Sequence, residues 1–159
     1  MNNHYLIGNY ISMGHGCENI PYDFPNSLKE LYKVSNGMYF GDYEKGGGVI
    51  DKEDKGWYYS LIPIDKVTRI SQDGYCDPRS EILDLVNNWY KIIDCGDGNC
   101  LAINLNDNGF GEIIDIFHET VGLPESHDVI AWSFDDWCEL HRSSGTHCWW
   151  LGLEALKKY

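Results

Sequence analysis

The stretch YKIIDCGDGNCLAINLNDNGFGEIIDIFHE, Tyr90 to Glu119, decides how this chain folds. It holds three β-rich runs separated by two clusters of turn formers, GDGN and NDNGFG. Gly, Asn and Asp relieve the backbone strain of tight reversals, so NWYKIIDC, CLAINLN and GEIIDIFHE read as three successive strands of a meander. Leu101, Ile103 and Leu105 alternate along the middle strand and should point to the core. The same stretch carries six Asp or Glu side chains and two cysteines. A phosphate cradle, a metal loop and a redox pair therefore compete with a hairpin whose rim is charged.

Gly96 and Gly98 begin a G-x-G-x-x-G, but Leu101 stands where the third glycine belongs. A strand follows instead of a helix, so no helix N-terminus is there to hold a phosphate, and Asp97 repels one. Asn104, Asn106, Asn108, Gly109 and Asp115 fall on positions 1, 3, 5, 6 and 12 of an EF-hand loop. The first ligand is an amide where calcium takes a carboxylate, the last is Asp instead of bidentate Glu, and the flanks are strands. A turn rich in Asn and Gly is the plainer account. Cys95 and Cys100 flank the first turn at a spacing that is not C-x-x-C. With six cysteines in a chain of this size and no mark for export, free thiols are expected.

Outward from the meander, PNSLKELYKVSNG reads as a helix in which Ser27 and Glu30 form a capping box and Gly37 ends the run. MYFGDY is a short strand, EKGGGVIDKEDKG a charged loop or hairpin tip, and WYYSLIPI a strand stopped by Pro63. DPRSEILDLVNN is expected to be a helix capped by Asp77 with Pro78 at its first position. VIAWSF is a further strand, and SFDDWCELHRS a helix capped by Ser133 with Trp137, Cys138 and Leu140 inward or near the inward face. Trp89, Trp132 and Trp137 are expected in the core. Helix, strands, helix, meander, helix is an α+β order, with an antiparallel or mixed sheet. The 159 residues read as one domain, 1–159, with no internal repeat.

Charge is the strongest functional signal. The chain carries a net charge of −13, and from Ile92 to His141 there are eleven Asp or Glu and no Lys or Arg. A field of one sign over that much chain repels nucleic-acid backbones and anionic membranes and attracts basic surfaces. The N-terminus lacks the basic residue and apolar run of a signal peptide, and no segment approaches the length of a membrane helix. A cytoplasmic protein is expected.

Other chemistry finds little purchase. His118, His127, Cys138, His141, His147 and Cys148 raise zinc, and Cys138 and His141 sit three apart on a helix, but no second pair has regular ligand spacing. There is no G-x-S-x-G elbow and no Cys–His pair held by a third group. Many carboxylates leave a paired-carboxylate hydrolase open without choosing two of them.

The run SLKELYKVSNGMYFG (Ser27 to Gly41), then DCGDGNCLAINL (Asp94 to Leu105), GEIIDIFHE (Gly111 to Glu119) and VIAWSFDDWCEL (Val129 to Leu140) resembles, in that order, the SMI1/KNR4 family of the SUKH superfamily. The resemblance covers about Pro21 to His141. It implies an α+β fold with a bent sheet flanked by helices. For bacterial members it implies cytoplasmic immunity proteins that bind and neutralise a toxin, often a nuclease; fungal relatives regulate cell-wall synthesis. It carries over no catalytic motif. The segment before the first helix is shorter than usual for the family, and the HCWWLGL tail lies outside the match.

The expected function is thus non-enzymatic: binding of a protein toxin with a basic surface, with no cofactor, no metal, no nucleic acid and no membrane. The alternative is a regulatory or scaffold protein of the SMI1/KNR4 type; a metal-dependent hydrolase ranks third. The candidate partner-binding residues are Asp94, Asp97, Asp107, Glu112, Asp115 and Glu119, with Asp135 and Asp136 as neighbours. Period-2 alternation sets Glu112 and Asp115 on opposite faces.

Overall fold

A computed structural model describes residues 10–40, 59–72, 74, 76–144 and 149–159. Within them nine strands form one sheet. They are β1 (Tyr10–Ser12), β2 (Met38–Phe40), β3 (Ser60–Leu61), β4 (Thr68–Arg69), β5 (Trp89–Asp94), β6 (Cys100–Asn104), β7 (Ile113–Ile116), β8 (Asp128–Ala131) and β9 (Lys157–Lys158). The order across the sheet is β1-β2-β3-β5-β6-β7-β8-β9, with β4 also on β5. Every named pair is antiparallel, which settles the choice between antiparallel and mixed.

The meander is there as read. In β5–β6, Asp94 pairs with Cys100 and Trp89 with Asn104; in β6–β7, Cys100 pairs with Ile116 and Ile103 with Ile113. The GDGN turn works because Gly96 and Gly98 adopt φ of 79° and 93°, a region side chains avoid. The charged loop expected over Glu44–Gly56 lies outside the described residues.

Among the described residues three α-helices complete the order: α1 (Asn26–Val34), α2 (Leu83–Val86) and α3 (Phe134–Ser144). α1 buries Leu28, Leu31 and Tyr32, the i, i+3, i+4 face. α3 buries Phe134, Trp137, Cys138 and His141, while Leu140, 37% exposed, lies beside that face. A periodicity anchored on Trp137 reaches His141 one turn on, not Leu140. The His141 ring stacks on Trp137 at 5.1 Å and bonds the Tyr59 hydroxyl, so its polar edge is satisfied inside the core.

Each face of the sheet is covered. On one, α1 and α3 pack with Leu61, Ile93, Leu101, Ile103 and Ile113. On the other, Trp89, Ala102, Ile114, Ile116 and Val129 meet Ile70, Val86 and Val121 from the connections. All five residues of β6 are buried, Cys100, Ala102 and Asn104 as well as the expected Leu101 and Ile103.

Two helix starts differ from expectation. α1 begins after Pro25 without a side-chain cap, and Ser27 lies inside it with its hydroxyl donating to Asp135 at 2.9 Å. A tertiary partner has taken the hydroxyl that a capping box needs. The helix expected from Asp77 is cut to α2: Asp77 caps a turn instead, accepting the Arg79 amide at 2.8 Å. The Ser80 hydroxyl then donates to the Gly122 carbonyl, which holds this segment against the sheet in an irregular path.

Candidate functional site

The strands decide which carboxylates share a surface. β6 runs four steps from Cys100 to Asn104, about 13 Å at the usual rise of a strand. The eight candidate acids divide between its two ends.

At the end where β5 and β6 join, Asp94 accepts the Gly96 amide and Asp97 accepts the Asn99 amide, each at 2.9 Å. Asn99 in turn meets the backbone amide of His118 at 3.1 Å, tying this hairpin to the chain after β7. Glu119 is exposed in the short 3-10 helix there, His118–Thr120. Asp115 lies opposite Asp128 in the β7–β8 register. Burial, then the like charges of Asp128 and Asp97, push the Asp115 carboxyl up to about 6, against a hydrogen bond from Trp150 that favours its ionised form. Two cations blunt this end: Lys158 Nζ is 3.1 Å from Asp128 and Lys91 Nζ is 3.7 Å from Asp94.

At the other end stand Asp107, Glu112, Asp135 and Asp136. Glu112 is only 5% exposed and belongs to the interior. Its carboxylate accepts from the Tyr159 hydroxyl at 2.6 Å and from Asn104 Nδ2 at 3.2 Å, with Lys157 Nζ at 3.4 Å. Lys157 also donates to the Tyr159 oxygen at 2.6 Å. This network closes β9 onto the β6–β7 turn, on the face opposite Asp115, as alternation requires. Gly109 permits it. At φ 91°, a Cβ there would collide with the Glu112 carboxylate and the Tyr159 hydroxyl. Asp107 is exposed in the turn, and Asp135 and Asp136 are exposed in the first turn of α3. There they complement the helix dipole, and the Asp136 amide donates to the capping Ser133 hydroxyl at 3.1 Å.

Trp132 corrects a further expectation. Trp89 and Trp137 are fully buried, but Trp132 is 51% exposed. It follows the last residue of β8 and precedes the cap of α3, where the chain turns out of the sheet. Phe110, in the β6–β7 turn, is 46% exposed. Neither aromatic was among the candidates, nor was Asp128. The signal for Trp132 was present: a residue between a strand end and an N-cap has no core face to join.

The zinc candidates among the described residues do not converge. Cys138 and His141 face the core rather than an ion, and burial pushes the Cys138 thiol well above its ordinary value. His127 lies in the other face, and His118 pairs with Asn99. His147 and Cys148 lie outside the described residues. Among the described residues no three His, Cys, Asp or Glu side chains are grouped to hold a metal. Cys95 and Cys100 point into opposite core clusters, and neither forms a disulfide. No helix among the described residues is long and apolar enough to cross a membrane.

The sequence can be placed among known proteins. A stretch of 69 residues is 36% identical to Immunity protein YokJ of Bacillus subtilis (strain 168). That stretch covers 43% of this chain and 42% of that protein, so the match spans about two fifths of the relative's length. No solved structure matches it. A model of the SMI1/KNR4 family (SUKH-1) matches residues 18–140, which take in both helical layers and the central strands, and the chain belongs to that family.

Proposed function

We propose that this chain is an immunity-type protein that binds a protein toxin and neutralises it through its acidic surface. The observation that carries the reading is the run from Ile92 to His141, with eleven carboxylates and no Lys or Arg. It makes up β6, β7, β8 and most of α3, so its charge is spread over one continuous piece of the fold. Such a field speeds encounter with a basic partner and rejects anionic ones. Family membership and the immunity-protein relative support a binding role over a catalytic one.

The test begins with capture from a lysate of the source cells and identification of the captured protein. That protein is then expressed alone and together with this chain. The reading expects growth arrest in the first case and restored growth in the second. A captured protein that is harmless alone, or equally harmful with this chain present, overturns it.

A further inference from the structure

The two acidic ends of the sheet are not equivalent. At the β5–β6 end most of the carboxylates are engaged: Asp94 and Asp97 close their own turns, Lys91 and Lys158 stand beside Asp94 and Asp128, and Asp115 is half-buried, which leaves Glu119 exposed. At the other end, Asp107, Asp135 and Asp136 are exposed, and among the described residues none has a cation within ion-pair distance. Lys157 is there, but it is committed to Glu112 and Tyr159.

That second end exposes two large aromatic side chains, Trp132 and Phe110, where the first exposes Phe117. Ile113 pairs with Ala131, so one step further the β6–β7 turn runs beside Trp132. Gly111, next to Phe110, lies against Pro25 at the start of α1, and Ser27 of α1 bonds Asp135 of α3. Three pieces of chain thus converge: the turn with Phe110, the N-terminus of α1, and the β8–α3 junction with Trp132. Leu156 bonds the Val129 carbonyl at 2.9 Å and adds a 47% exposed side chain on the neighbouring edge. Large apolar side chains beside exposed carboxylates that have no cation within ion-pair distance among the described residues match the build of a binding hot spot, in which aromatic anchors give affinity and the polar rim excludes water.

We propose that this end is the docking surface, with Trp132 and Phe110 as anchors, and that its occupant is a protein surface carrying Arg or Lys around an aliphatic centre. Charge selects the occupant. A second copy of this chain, at −13, brings the same acids to the contact and is repelled. The inference rests on the reading that the chain acts by binding a protein; it adds where.

The test uses an octapeptide of alternating Arg and Leu, with an Arg-Gly octapeptide as control, and the full chain labelled with fluorotryptophan. Arg-Leu binding should move the Trp132 fluorine resonance saturably, and the control should bind more weakly. Trp132→Ser should raise the Kd about tenfold, some 1.4 kcal/mol. Asp135→Asn combined with Asp136→Asn should raise it several-fold, and Asp97→Asn should leave it unchanged. A wild-type spectrum in which Trp132 stays still, no saturable binding, or greater sensitivity to Asp97→Asn overturns the inference. The same variants separate it from the broader reading. If Trp132→Ser restores growth beside the toxin as fully as wild type, the docking surface is wrong while neutralisation stands.

Discussion

His127 is fully buried, with Nε2 accepting the Gly122 amide at 3.0 Å. The ring proton must then sit on Nδ1, which meets no acceptor among the described residues; the ring stands T-shaped to Trp89, with centroids 5.4 Å apart. Burial holds its pKa down at about 4, from an ordinary 6.5. The unfolded chain therefore takes up the proton first as acid is added. Stability is whole above pH 6.5 and falls as pH drops toward 4. Asp115 works the other way. Its folded pKa of about 6 lies above the ordinary 3.8, so its ionisation costs stability as pH rises from 3.8 through 6. Urea unfolding against pH should show His127→Gln flattening the acid limb. Asp115→Asn should gain stability near neutral pH and nothing at about pH 4. Asp115→Asn losing stability at neutral pH would mean that the Trp150 hydrogen bond outweighs the two neighbouring carboxylates.

At the scale of elements, β9 shows how a two-residue strand is held. Lys157 and Lys158 pair with Val129 and Asp128, but the anchor is the Tyr159 hydroxyl between Glu112, Asn104 and Lys157. Tyr159→Phe leaves a buried carboxylate short of a donor. It should cost about 1–3 kcal/mol in thermal or urea unfolding, with faster amide exchange in β9 and in the turn around Gly109. A loss confined to β9 exchange, with no change in global stability, would show the clasp to be local. The start of α3 offers a smaller effect. Ser133→Ala should cost about 1 kcal/mol by removing the cap of the Asp136 amide. The sequence pattern pointed to that cap, and the Ser133 hydroxyl takes it up. It misassigned the cap at Ser27, whose hydroxyl is drawn to Asp135, a residue 108 positions away. No local pattern encodes that competition.

For the whole molecule, the dominant fact is a buried sheet under a strongly negative surface. Self-repulsion at −13 opposes compaction, so added salt should raise the melting temperature between about 0.05 and 0.5 M NaCl as screening tightens. Under the proposed function, the same salt should weaken binding of a basic partner. A melting temperature insensitive to salt would show that Lys91, Lys157 and Lys158 already neutralise the carboxylates that matter for folding. The meander, the last helix and the α+β class could be read from residues alone, because turn chemistry and side-chain alternation act over a few positions. So could the strongly negative net charge, since charge is a property of composition.

Tertiary structure alone decided which carboxylates stand together. β-pairing sent Asp97 and Asp115 to one end and Asp107, Asp135 and Asp136 to the other. It drew Glu112 inside to meet Tyr159 and turned Trp132 outward. Sequence determines the kind of side chain and its local period. Register and packing choose its neighbours, because those depend on strands brought together from distant parts of the chain, where the free energy belongs to the assembled sheet and to no single segment.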